Sequence, residues 1–291
     1  MFELCTIGHI TLDKIQTTQS VKYMPGGTAF YFSKALKNFD LKHLLVTAVA
    51  NSEQYIIDAL KKEGLEVIAL NSEHTVYFEN IYPENMDDRV QNVLNTADPF
   101  TTELMPPVNA RIFHLGPLLH TDISLSLIKS LSSKGEVSID VQGMLRYTKN
   151  KKVLYKDWDD KEAILKYVSV LKANEFEMEI ITGTKNMEEG ARYLAGHGVK
   201  EVIITNGGKG SLILANGIFY RIPAIKPTQA TDTTGCGDTY MAGYLYRKLK
   251  GADVEECGLY GAVMATLKIQ SFGPYDGTAE DVEILLAASA L

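Results

Sequence analysis

Short apolar runs of strand length alternate with helical segments along most of this chain, and that alternation restricts its fold more than any other feature. Phe2–Gly8, Leu44–Ala50, Glu66–Leu70, Arg111–Leu115, Val137–Asp140, Val168–Lys172 and Val202–Thr205 read as strands. Between them Thr28–Asn38, Glu53–Lys62, Asp122–Ser132, Glu162–Tyr167, Glu177–Thr182 and Asn186–Ala195 read as helices, with Thr28 as an N-cap and Gly64, Gly196 and Gly198 as stops. Strands separated by helices reach one another by crossovers, so the pattern predicts a parallel sheet flanked by helices. A hairpin through Leu212–Leu214 and Ile218–Ile222 follows, then helices over Gly237–Leu249, Val254–Gln270 and Ala279–Ala288.

Two stretches depart from this rhythm. Residues 13–23 are polar and alternating, which suits one exposed strand, and Pro25-Gly26-Gly27 then breaks the chain. Thr75–Tyr82 and Arg89–Leu94 alternate on either side of the charged turn Pro83–Asp88, which predicts a hairpin with one wet face. Residues of about 13–25 and 72–97 would then form a small sheet projecting from a single domain over 1–291. With 291 residues, 45% of them apolar, a core of this size needs no disulfide staples. Cys5, Cys236 and Cys257 have no close spacing, so neither a disulfide framework nor a CxxC zinc site is supported, and a reducing cytoplasm is expected. A net charge of −7 argues against a nucleic-acid partner. No apolar run approaches the roughly 20 residues of a membrane span, and Met-Phe-Glu-Leu-Cys carries no basic leader, so neither membrane nor secretion is expected.

The chemistry concentrates in Asp232-Thr233-Thr234-Gly235-Cys236-Gly237-Asp238, just before a helix rich in small residues. The first amides of a helix lack internal partners and carry the positive end of its dipole. Gly235-Cys236-Gly237 can therefore form a nest of N–H groups for an anion, with Asp238 facing the same space. A carboxylate beside an anion hole is placed to take a proton from a hydroxyl that attacks a phosphoryl group. The same residues also suit a tight turn and a helix cap.

This segment resembles the C-terminal signature of the ribokinase/PfkB family of small-molecule kinases, and the resemblance covers nearly the whole chain. Gly8 to Asp13 is similar to the family's opening strand, Pro25-Gly26-Gly27 to its diglycine, and residues 74–95 to its lid. Asn174-Glu175-Phe176-Glu177 contains its Asn-x-x-Glu motif, and Thr205-Asn206-Gly207-Gly208-Lys209-Gly210 resembles its nucleotide loop. The resemblance implies a ribokinase-like three-layer α/β sandwich with a mostly parallel sheet and a β lid. No Walker Gly-x4-Gly-Lys-Ser/Thr occurs, and Gly235-Cys236-Gly237 lacks the third glycine of a dinucleotide fingerprint, position 240 being tyrosine.

By the same resemblance Asp238 is the general base, and the amides of Gly235, Cys236 and Gly237 stabilise the transferring phosphate. The Cys236 side chain, where the family commonly has alanine, is either a small filler or a thiol activated by the helix N-terminus. Asp13 and the Gly26-Gly27 backbone would bind substrate hydroxyls, joined by Thr28, by Tyr31 where the family often has asparagine, and by Arg146 at the rim. Asn174, Thr205, Gly207, Gly208, Lys209 and Gly210 would contact ATP. Glu177 and Asn174 would order water around Mg²⁺, although Asn-x-x-Glu is equally a capping box. Asp232 and Thr234, with carbonyls around Ser271–Gly273, resemble the K⁺ loop of some members. Tyr77, Phe78 and Tyr82 would cover the substrate or pack a homodimer through the lid. The function implied is transfer of the ATP γ-phosphate to a hydroxyl of a small sugar or polyol. An inositol or nucleoside kinase is the near alternative. A non-catalytic nucleotide- or metabolite-binding regulator is the distant one, and it would be marked by loss of the base or the glycines, all of which are present.

Overall fold

Among the residues described by a computed structural model (1–16, 20–81 and 90–289), the apolar runs build a nine-stranded sheet, and the polar alternating ones a second sheet of six strands. In chain order, β1 (Phe2–Ile7) is followed by β2 (Thr11–Gln16), β3 (Val21–Gly26), α1 (Thr28–Ala35), β4 (His43–Val49), α2 (Gln54–Lys62), β5 (Glu66–Asn71), β6 (Val76–Ile81) and β7 (Val90–Asn95). The chain continues through β8 (Ala110–Leu115), α3 (Leu125–Ser132), β9 (Glu136–Asp140), β10 (Arg146–Lys149), β11 (Lys152–Tyr155), α4 (Lys161–Leu165), β12 (Val170–Asn174) and α5 (Glu175–Thr182). It closes with α6 (Met187–Gly196), β13 (Glu201–Thr205), β14 (Ser211–Ala215), β15 (Ile218–Ile222), α7 (Cys236–Leu249), α8 (Val254–Ile269) and α9 (Ala279–Ser289).

The large sheet has the order β15-β14-β13-β12-β9-β8-β1-β4-β5. It is parallel from β13 to β5, and β14 and β15 are antiparallel. Its central strands are near-continuously apolar because both faces are covered. Cys5, Phe113, Leu171 and Ile204 point into one core with α3, α5 and α6. Their neighbours Leu4, Ile112, Val170 and Ile203 point into the other, with α1, α7 and α8. The chain runs from β1 outward to β4 in one half and from β8 outward in the other. The carboxyl ends around β1 and β8 are therefore a topological switch point, where open α/β sheets bind ligands.

The small sheet, in the order β10-β11-β7-β6-β2-β3, covers that end. Residues 13–23, read from sequence as one strand, belong to two antiparallel strands, and Pro25-Gly26 completes β3 instead of breaking the chain. Proline is tolerated there because β3 is an edge strand. Gly27 takes the cap position of α1 and Thr28 the first helical turn. Ser124, whose side chain accepts from the Leu127 N–H, starts α3 later than expected. The β10–β11 hairpin was not read from the sequence; its turn uses Asn150 and Lys151 at φ 51° and 64°. Tyr82, the tip 83–88 and Arg89 lie outside the described residues. No described helix is long and apolar enough to cross a membrane.

Candidate active site

The site is assembled from two strands of the large sheet and two helix starts. The carboxyl end of β9 brings Asp140, the middle of β12 Lys172, the start of α1 Thr28, and the first turn of α7 Asp238. Gly235 caps α7 at φ 77°, and a Cβ there would lie 2.2 Å from the Tyr31 ring. Glycine is required at this position twice over, by conformation and by space. The Cys236 N–H, expected in the anion hole, instead donates to the Thr233 carbonyl at 3.3 Å. The Gly237 and Asp238 amides follow it at the start of the helix, where N–H groups lack internal acceptors. Burial pushes the Cys236 thiol up to about 11, the opposite of the direction an activating helix N-terminus would give. A Gly235→Ala variant is expected to lose about 2–3 kcal/mol of stability and most of its turnover, because both the positive φ and the ring contact are violated. Thermal denaturation beside a rate assay checks this.

Asp238 is half-buried, and its carboxyl is pushed up to about 7. Burial is the main cause and the Asp140 carboxylate adds to it, against Lys172, a hydrogen bond from Thr28 and Arg146. Thr28, expected among the substrate contacts, therefore hydrogen-bonds the Asp238 carboxylate. Lys172 is buried and paired with Asp140 at 2.8 Å. Burial alone would lower its ammonium, but Asp140, Glu177 and Asp238 outweigh that and hold it above the usual lysine range. Its Nζ would lie only 3.0 Å from a Cβ on Gly237, directly beneath the start of α7. Arg146 is 8% exposed, lies 5.8 Å from the centre of the Tyr155 ring, and has a buried Nε with no hydrogen-bond partner among the described residues. Asp140, Glu177 and Asp238 thus all act on the Lys172 ammonium, and Arg146 is a second cation acting on Asp238.

On the lid side, Thr11, Asp13 and Ile15 share one face of β2 with Phe78 and Asn80 of β6 and Met24 of β3, by register. Gly26 lets that strand close on Asp13, whose Oδ2 would be 2.6 Å from a Cβ there, and Gly27 has φ 94°. Asn80 accepts a hydrogen bond from Gln91, adding amide polarity beside Asp13. Tyr77 points to the opposite face, where it hydrogen-bonds Tyr23. Tyr31, expected to touch substrate, is 4% exposed and serves as the floor beneath Gly235. His114 packs on Phe32 and bonds Ser138, and burial brings it down to about 4.

On the other side, Asn174 and Glu177 complete a reciprocal capping box at the start of α5. Each accepts from the other's backbone at 2.8 Å. Glu177 is 2% exposed and burial raises its carboxyl, with Lys172 opposing. The loop after β13 makes a 3-10 turn at Gly207–Lys209; Gly207, Gly208 and Lys209 are exposed, and Asn206 and Gly210 close it at 2.8 Å. The Thr205 hydroxyl turns toward the Ala173 carbonyl at 3.5 Å.

The expected K⁺ loop is corrected by a lysine. Lys268 Nζ reaches the Asp232 carbonyl at 2.9 Å, Asp232 Oδ2 at 3.0 Å and the Ser271 carbonyl at 3.3 Å. The oxygens a cation would need already hold an ammonium. Asp140, Lys172 and Lys268 were given no role from the sequence. Their signal was a charged residue inside an apolar run: Val-Ser-Ile-Asp, Val-Leu-Lys-Ala and Ala-Thr-Leu-Lys-Ile. Such positions are buried only when paired.

Comparison with known proteins gives this arrangement a lineage. A cytidine kinase of Thermococcus kodakarensis is 28% identical over 290 residues, which are 96% of this chain and 100% of that protein. A nucleoside kinase of Methanocaldococcus jannaschii is 27% identical, over 94% of this chain and 92% of its own. Among solved structures, a pyrophosphate-dependent kinase in the ribokinase family, complexed with a pyrophosphate analog and myo-inositol, superposes with a TM-score of 0.86 at 27% identity. It covers 97% of this chain and 99% of that one. The ribokinase of Thermotoga maritima shares the fold, with a TM-score of 0.81 at 19% identity over 99% of this chain and 100% of its own. Residues 1–281 match the pfkB family carbohydrate kinases as a whole. With a match of that extent, and a helix start that brings a carboxylate and backbone amides together, the chain belongs to the pfkB family, kinases that transfer a phosphoryl group to an alcohol.

Proposed function

We propose that the protein transfers the γ-phosphoryl group of ATP to a hydroxyl of a small polyol held between Asp13 and Asp238. The observation that carries this reading is the Asp238 carboxyl, raised to about 7 at the start of α7 and oriented by Thr28. A base that titrates near the working pH both holds the right charge state and accepts a proton well. Asp238 takes the proton of the attacking hydroxyl as the new oxygen–phosphorus bond forms and the bond to ADP breaks. The α7 amides, Lys172 and Arg146 meet the negative charge on the transferring group, where positioning and charge stabilisation supply most of the catalysis.

Bound magnesium would screen the charge of the nucleotide phosphates. Among the described residues no cluster of three metal-ligating side chains is preformed, which fits an ion that arrives on its nucleotide and keeps several waters. Glu177 would hold one of those waters, since the capping box uses only its Oε2. Asn174, Thr205, Gly207, Gly208, Lys209 and Gly210 would line the donor side. Asp13, Asn80 and the Gly26–Gly27 backbone would read acceptor hydroxyls. A nucleoside is the second reading, favoured by half-buried Ile15 and Met24 on the same lid face, which offer an apolar flank for a base. The three unpaired cysteines suit a reducing cytoplasm. Pairing of two chains through the lid belongs to the same reading, with Val21 and Tyr23 exposed on the open edge β3.

The test is a transfer screen with ATP, GTP or pyrophosphate as donor and ribose, fructose, myo-inositol and cytidine as acceptors, with products located by NMR. One polyol class is expected to give a phosphate monoester together with ADP. A folded protein that phosphorylates none of them would refute the reading, and product formed only from pyrophosphate would replace the donor.

A further inference from the structure

We infer that the Lys268 ammonium is a tethered replacement for a monovalent cation, which makes this kinase independent of potassium. Lys268 projects from α8 and is 0% exposed. Its three N–H donors meet three oxygens: the carbonyls of Asp232 and Ser271 and the Asp232 carboxylate. Two carbonyls and one carboxylate around a single positive charge are also the donors a bound alkali ion would use, and both cannot occupy them. A buried ammonium has to be paired and hydrogen-bonded, and here each proton has an acceptor.

The same carboxylate ties the surrounding backbone together. Asp232 Oδ1 accepts from the Thr234 N–H at 2.9 Å, and Oδ2 accepts from the Gly273 N–H at 3.2 Å. Thr231 and Asp232 both donate to the Ile269 carbonyl. Burial alone would raise the Asp232 carboxyl, but the Thr234 amide and the Lys268 ammonium hold it below the usual range. The segment fixed in this way runs straight into Gly235 and the start of α7, so Lys268 holds the chain that shapes the anion site. An ion bound there would stabilise the loop in proportion to its concentration. A charge on the chain itself is always present.

The rate measurement rests on the kinase reading above, so thermal unfolding is measured beside it and needs no acceptor. Both are followed in potassium chloride and in choline chloride at equal ionic strength. The wild type is expected to show the same unfolding temperature and the same rate in the two salts. Lys268→Ala vacates the cage; it is expected to unfold several degrees lower in choline, to turn over about tenfold more slowly or worse, and to recover part of both in potassium. Lys268→Met fills the space without charge and should show the losses without the recovery. Potassium stimulation of the wild type, or a Lys268→Ala protein indifferent to potassium, would overturn the proposal. The wild-type arm decides the matter even where a variant does not fold.

Discussion

Replacing Asp238 by Asn is expected to lower turnover by about 10³-fold or more while making the folded protein more stable above pH 7. The two effects have one origin. The Asp238 carboxyl titrates at about 7 in the fold, against 3.8 when unperturbed, because it sits half-buried beside Asp140. The folded state therefore holds this proton more tightly than the unfolded chain. Its contribution to stability is full below about pH 4 and is lost as pH rises through 7. Asparagine carries no such cost, so Asp238→Asn should gain about 2 kcal/mol at pH 8 and nothing near pH 4. The wild-type rate supplies the matching observation. As the proposed base, Asp238 works only when ionised, so kcat/KM should fall about tenfold per pH unit below 7 and level off above it. Chemical denaturation at pH 4, 6 and 8, with pH–rate profiles, measures both. Unchanged turnover would remove Asp238 from the base role, and a loss of stability at pH 8 would contradict the burial argument. A site that is less stable for being reactive is the expected trade at a catalytic centre.

How much of this could be read from sequence depended on what each residue answers to. The strands of the parallel sheet were legible because burial on both faces writes itself as an unbroken apolar run. The segment Asp232–Asp238, which runs into the start of α7, stood out because an amide nest would demand glycine at fixed spacing. What stayed hidden depends on contacts between distant segments. The β10–β11 hairpin was lost because Arg-Tyr-Thr-Lys and Lys-Val-Leu-Tyr are short and half-polar, and because their turn rests on a positive φ at Lys151, which composition does not announce. That hairpin is what brings Arg146 into the site. Tyr31, read as a substrate contact, also supplies the ring on which Gly235 rests, a contact that no local pattern announces. Lys268 lies 36 residues from the carboxylate it pairs with, so no local pattern could join them. In each case a tertiary partner, more than local propensity, set the role.

Lys172→Met is the second substitution with a large expected effect, and its value lies in separating two functions of one ammonium. Lys172 neutralises Asp140 at 2.8 Å in a buried setting, and its Nζ also lies beneath Gly237. Removing it leaves an unpaired buried carboxylate, a change that costs about 3–5 kcal/mol in comparable sites. It also removes the positive charge beneath the start of α7, where the proposed reaction puts the transferring phosphoryl group, a charge worth about 10²–10³ in rate where such donors have been deleted. With Lys172 gone, Asp238 loses the largest influence opposing its burial, so the acidic limb of the pH–rate profile should move above 7. Lys172→Met combined with Asp140→Asn restores local neutrality and keeps an acceptor for the Gln142 N–H, which the Asp140 carboxylate accepts at 3.0 Å in the wild type. The double variant should regain most of the lost stability, since removing both members of a buried pair is far milder than removing one. It should not regain turnover, because the charge under the helix start is still missing. Recovery of rate together with stability would show Lys172 to be a structural counterion alone. Recovery of stability without rate assigns the same ammonium to the phosphoryl group, and makes the Asp140–Lys172 pair the means by which a cation is kept charged, buried and aimed in the absence of substrate.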